Sequence, residues 1–132
     1  MTKKAQDNVK LIKRGFEAFN KGDVKTLSSI LSNDCIQHMG GNNRFSGDHK
    51  GVDNILAMYG EMGELTNGTM QAVLTDVYAS DHGAVALYTA KAKRNGKTIN
   101  QKYSLVFQLV DGKAIDLDDV PLNGEVDDSF WA

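Results

Sequence analysis

The stretch KAIDLDDVPL, residues 113–122, alternates apolar and acidic side chains and then breaks its own rhythm. In an extended strand successive side chains point to opposite faces, so Ile115 and Leu117 share one face while Asp116 and Asp118 share the other. Asp119 falls in phase with Ile115 and Leu117, on the apolar side. A carboxylate turned toward apolar neighbours loses hydration, which raises its pKa unless a partner compensates. Such a group takes or holds a proton near neutral pH, as a general base must. The alternative is a strand that stops at Leu117, ahead of Pro121, and leaves Asp119 in water.

His38 is the second candidate. In Cys35-Ile36-Gln37-His38-Met39, alternation sets Ile36 and His38 on one face and the other three on the opposite face. Imidazole titrates near pH ~6.5, so His38 is a suitable proton partner for Asp119, against the plainer reading of a surface or structurally satisfied histidine. His49 and His82 lie in loop-like surroundings. Tyr88 alternates with Ala86, Ala90 and Ala92, a small-residue face suited to lining a cavity, and Tyr59 sits on the apolar stripe of a helix. Either hydroxyl can orient a ligand oxygen or simply satisfy a structural hydrogen bond. Leu117 and Ala90, in phase with Asp119 and Tyr88, are expected to line the same cavity.

Other chemistries find no support. The chain has no Gly-rich phosphate loop, no H-E-x-x-H and no Cys/His cluster, so no metal and no cofactor is expected. Cys35 is the only cysteine; it reads as a small buried hydrophobe, forms no intramolecular disulfide and suits a reducing, cytoplasmic setting. A net charge of −2 gives no general attraction to nucleic acid or an anionic membrane. The basic cluster within residues 1–25 reads as the solvated face of a helix. The charged, periodic N-terminus is neither a signal peptide nor a membrane span.

These residues need elements to position them. Val9, Ile12, Phe16 and Phe19 recur at helical spacing, Gly22 stops that helix, and Asp23 caps a second one carrying Val24, Leu27, Ile30 and Leu31. A third helix is predicted over about 51–62 from Val52, Ile55, Leu56, Tyr59 and Met62. Strands are predicted at 69–79, 83–94, 98–110 and 113–120, with Asn95-Gly96 and Asp111-Gly112 as hairpin turns. Three helices followed by an antiparallel meander make one α+β domain over 1–132, with space for a pocket between helices and sheet.

Three segments carry a resemblance: FEAFNKGDVKTLSSILSNDCIQH at 16–38, FSGDHKGVDNILAMYGEM at 45–62 and LVFQLVDGKAIDLDDVPLNGEVDDSFW at 105–131. In order and spacing the chain resembles the nuclear-transport-factor-2-like superfamily, in its SnoaL-like, ketosteroid-isomerase-related branch. The resemblance implies a cone-shaped α+β barrel, with three N-terminal helices on a strongly curved, mostly antiparallel sheet and an apolar pocket inside. It also implies a homodimer formed through the outer sheet face. The tyrosine and two acids of a ketosteroid isomerase would fall on Gly15, Met39 and Leu105, so that mechanism is not expected. The last strand of limonene-type epoxide hydrolases is a better match, with Val106-Phe107-Gln108-Leu109, Gly112 and the pocket acid at Asp119. There a water-binding Asn falls on His38 and a water-binding Tyr on Ile36, which places Ile36 among the expected pocket residues. The Arg and second Asp of those hydrolases have no counterpart. SnoaL-like cyclases, with a pocket Asp assisted by His, are matched by Asp119 and His38.

Fold does not fix function, and three readings stay open. In the first, Asp119 and His38 perform cofactor-independent acid/base chemistry on a small, largely apolar, cyclic molecule: isomerisation, cyclisation or water addition. In the second, the same cavity binds a ligand without converting it. In the third, the core is filled and the domain serves only in dimeric interaction.

Overall fold

The computed structural model describes residues 1–132. Helix α1 spans Lys3–Lys21 and α2 spans Val24–Ile30; strand β1 follows at Leu31–Met39, β2 at Gly47–Lys50, and helix α3 at Val52–Leu65. Four long strands come next, β3 at Gln71–Ala79, β4 at Gly83–Arg94, β5 at Lys97–Val110 and β6 at Lys113–Pro121, and helix α4 at Gly124–Trp131 closes the chain. The strands form one sheet in the order β2-β1-β6-β5-β4-β3. Helices and curved sheet together make the cone-shaped α+β architecture.

Local chemistry explains most boundaries. Thr2 caps α1 by accepting from the Ala5 N–H, and Gly22 ends the helix in the left-handed region at φ 68°. The Asp23 side chain accepts from the Thr26 N–H and starts α2. At both hairpins the two turn residues have positive φ, 50° and 75° at Asn95-Gly96, 48° and 77° at Asp111-Gly112. That is the type I′ geometry whose twist matches the flanking strands, and it is why these dipeptides signal so strongly.

Three features depart from the sequence expectation. A fourth helix, α4, adds Phe130 and Trp131 to the core. The segment after α2 is extended from Leu31 rather than Cys35, and it pairs with β2 antiparallel and with β6 in parallel. Val24, expected on the buried side of α2, is 57% exposed.

The bulge between β5 and β6 matters most for the site. Gln108 faces Asp116 and Leu109 faces Ala114, so Ile115 is the extra residue. Ile115 is therefore turned outward, not inward as simple alternation predicts, and Ala114 takes the fully buried place. Beyond the bulge the pairing is regular, with Phe107 opposite Leu117 and Leu105 opposite Asp119. Leu117 and Asp119 thus keep the inward phase.

Candidate active site

The concave side of the sheet and helices α1 to α4 line a partly open apolar cavity of about 100 Å³. Its wall includes Ile12, Phe16 and Phe19 from α1, Tyr59 and Met62 from α3, Ala90 from β4, Leu105 and Phe107 from β5, and Leu117 from β6. Six polar side chains also reach it: Gln37, Tyr59, Tyr88, Tyr103, Asp119 and Asp127.

Asp119 is the central group. The Tyr88 hydroxyl donates to its Oδ1 at 2.7 Å, while no protein group donates to Oδ2. Asp119 keeps some accessible surface because its carboxylate faces the cavity, but protein surrounds it on the other sides. Burial raises its pKa to about 7, the charges of Asp127 and Asp118 push the same way, and the Tyr88 hydrogen bond opposes them. Asp119 therefore exchanges a proton close to neutrality, with one oxygen free toward the cavity.

A second tyrosine–carboxylate pair lies beside it. The Tyr103 hydroxyl donates to Asp127 Oδ1 at 2.6 Å. The rings of Tyr88 and Tyr103 stack, their centroids 5.2 Å apart and 13° from parallel. Burial raises the Asp127 pKa as well, against the lowering effect of the Tyr103 hydrogen bond. The Asn43 side-chain amide donates to two neighbouring carboxylates, Asp127 Oδ2 at 3.4 Å and Asp128 Oδ1 at 2.8 Å. All three pocket tyrosines are held well above the usual phenol range, mainly by burial, so each stays a neutral hydroxyl.

Tyr59, Tyr88, Leu117 and Ala90 line the cavity with Asp119. Tyr59 donates to the Gln37 side chain. His38 and Ile36 require correction. In the parallel pairing, Gln37 sits opposite Leu117 and Met39 opposite Asp119, so it is Gln37 and Met39 that face inward. Ile36 and His38 occupy the convex face, and the Asp119–His38 pairing is not formed. His38 instead lies between two outer carboxylates, with Nδ1 2.7 Å from Asp48 and Nε2 2.8 Å from Asp116. Those two hydrogen bonds, Asp116 first, raise its pKa to about 8. Each acceptor takes one N–H of an imidazolium, so the arrangement is an ion cluster at the sheet surface.

Sequence reading missed Gln37, Tyr103 and Asp127. Gln37 was legible as a neighbour of the wrong face, and Tyr103 follows from the alternation with Leu105 and Phe107. Asp127 lies on the unanticipated α4, and only the Asn123 cap, accepting from the Glu125 and Val126 N–H groups, signals that helix locally. Cys35 is fully buried, its thiol pushed up to about 12 by burial and then by Asp116, which makes it inert as a nucleophile. No group of three or more His, Cys, Asp and Glu side chains is arranged to hold a metal ion, and no helix is long and apolar enough to cross a membrane.

Comparison with known proteins shows which family the chain resembles. Residues 12–117 match the SnoaL-like domain. An uncharacterized protein of Mycobacterium tuberculosis is 32% identical over 123 residues, covering 92% of this chain and 94% of that one. Bal32a, from a soil-derived mobile gene cassette, superposes with a TM-score of 0.95 at 35% identity over 98% of this chain and 99% of its own. An NTF2-like protein from Burkholderia pseudomallei shares the fold, with a TM-score of 0.85 at 18% identity over 96% and 98% of the two chains.

Proposed function

The chain belongs to the SnoaL-like family, and from that premise we propose that it binds a small, largely apolar, cyclic molecule in the cone and moves a proton on it without a cofactor. One observation carries the proposal: Asp119 sits on the cavity wall, hydrogen-bonded through one oxygen to Tyr88, with the other oxygen open and a pKa of about 7. Catalytic bases work best with a pKa near the operating pH, and here burial supplies that match. Proton abstraction from carbon next to an electron-withdrawing group, as in isomerisation or aldol-type cyclisation, suits a lone base in an apolar site. Tyr59 and Gln37 form a second polar point on the cavity wall, on the β1 side of Asp119, that can orient a ligand oxygen.

The test has two stages. A thermal-stability screen of small cyclic compounds identifies molecules the cavity accepts, since a ligand that binds only the folded state raises the melting temperature. An Asp119→Asn variant then keeps its fold and loses turnover at saturating substrate. Turnover retained in that variant removes Asp119 from the role of base.

A non-catalytic binding domain is the second reading, favoured by the position of His38 on the convex face, where it gives Asp119 no assistance. Ligands that stabilise the protein and are recovered unchanged would support it. The proposal extends to a homodimer through the convex face, where Val73, Val106 and Val120 are each at least 40% exposed. Sedimentation velocity tests it: a monomer at micromolar concentration removes the dimer.

A further inference from the structure

The cavity wall has a marked charge asymmetry. Its 23 lining residues include two carboxylates, Asp119 and Asp127, and no Lys, Arg or His. The four other aromatic side chains of the wall, Phe16, Phe19, Phe107 and Trp131, surround the space together with the three tyrosines. The nearest histidine on β1, His38, belongs to the convex face and is engaged with Asp48 and Asp116. An anionic ligand would therefore enter an apolar space that holds two acids and no counter-charge.

We propose that the molecule this cavity takes is a small cyclic organic cation, a protonated cyclic amine or a pyridinium-type ring, with its charge against the free oxygen of Asp119. The two carboxylates are not equivalent. Asp127 is already served by Tyr103 at 2.6 Å and by Asn43 at 3.4 Å. Asp119 receives only the Tyr88 hydroxyl and leaves Oδ2 without a donor. A buried carboxylate with an open oxygen is left short of a positive partner, and a ligand cation supplies one. Aromatic faces attract the same ligand through their quadrupoles, most strongly where water is excluded. The size sets an upper limit. A cavity of about 100 Å³ is smaller than the roughly 150 Å³ that admits benzene in an engineered apolar core, so a single ring is the most it takes, with part of that ring in the open mouth of the cavity.

This inference rests on the reading of the cavity as a ligand site, and the test separates the two. Three molecules of similar size and different charge are compared: N-methylpyridinium, a permanent cation; toluene, its neutral counterpart; and benzoate. Binding is followed by NMR titration of the methyl groups of Ile12, Ala90 and Leu117. At pH 8 the cation is expected to bind roughly tenfold or more tighter than toluene, and benzoate not at all. The titratable groups near Asp119 on the cavity side are Tyr59, Tyr88, Tyr103 and Asp127, phenols or a second acid already hydrogen-bonded, and Asp118 acts on it from the opposite face of β6. Because Asp119 titrates near 7, the affinity of the permanent cation is expected to fall roughly tenfold between pH 8 and pH 6, while that of toluene stays flat. An Asp119→Asn variant is expected to bind toluene as before and to lose the preference for the cation; the pH comparison on the unmodified protein needs no variant to fold. Toluene binding as tightly as the cation, or a cation affinity indifferent to pH and to Asp119→Asn, overturns the charge assignment and leaves the cavity as a ligand site. Failure of all three molecules to bind overturns both.

Discussion

The hydroxyl of Tyr88 on β4 reaches past the intervening strand β5 to donate to Asp119 on β6 at 2.7 Å. It can do so because both side chains lean into the concave side of the sheet, where Tyr88 stacks on its β5 neighbour Tyr103. The pair fixes the orientation of the carboxylate and holds its pKa below the value that burial alone would give. Replacing Tyr88 by Phe keeps the ring and removes the donor. The Asp119 pKa is expected to rise further in Tyr88→Phe, because a hydrogen bond to the ionised form is lost. Carbon-13 NMR titration of the Asp119 carboxyl checks this; an unchanged midpoint would show that Tyr88 does not stabilise the anion. The expected cost in stability at pH 8 is about 1–2 kcal/mol.

Asp119 itself gives a pH signature. An aspartate in an unfolded chain titrates near ~3.9, whereas folded Asp119 holds its proton up to about pH 7. Between those values the folded state binds more protons than the unfolded one. Stability contributed at this site therefore falls as pH rises through that window and levels off above it. Asp119→Asn removes the cost of ionisation, so the variant is expected to be more stable than the parent at pH 8, by on the order of a few kcal/mol, with the difference closing toward pH 4. Urea denaturation at pH 4, 6 and 8 measures it, and parallel pH profiles for the two proteins would contradict it.

His38 has the same pH sign as Asp119, over a higher window and with a smaller effect. Its folded pKa of about 8 lies above the unfolded value, so its contribution is fully present below pH ~6.5 and is lost as pH rises through 8. The side chain is 37% exposed, and solvent screening limits the contribution to less than about 1 kcal/mol. His38→Gln is expected to lower stability by that amount at pH 6, less in high salt, and to leave ligand affinity and turnover unchanged. A large loss of turnover in His38→Gln would return this residue to the reaction.

Trp131 offers a direct report on occupancy. It is the only tryptophan of the chain, it lines the cavity, and its ring meets Phe45 edge-on at 4.8 Å. A ligand that fills the cone is expected to change the Trp131 emission in step with the NMR titration. Emission that stays constant at saturation would place the ligand away from α4. Trp131→Ala, which empties a buried aromatic site, is expected to cost about 3–5 kcal/mol.

Much of this molecule is written locally. The apolar spacing of α1, the Gly22 stop, the Asp23 cap and the two positive-φ hairpin turns depend on neighbours a few residues away, so periodicity and turn chemistry find them. The common phase of Leu117 and Asp119 is local too, and it survives because the bulge at Ile115 lies upstream of both. Alternation likewise separated Ile36 and His38 from Gln37 and Met39, but alternation is symmetric and says nothing about which face is concave. Only the parallel pairing of β1 with β6 decided that, setting Met39 beside Asp119 and sending His38 outward to Asp48 and Asp116. The short, acid-rich α4 has little helical periodicity of its own; it is held by contacts far away in sequence, among them the Arg94 guanidinium, which donates to the Phe130 and Ala132 carbonyls. The sequence by itself determined that a carboxylate would interrupt an apolar strand face. Tertiary structure decided what surrounds it, because burial and strand pairing bring together residues that no local pattern connects.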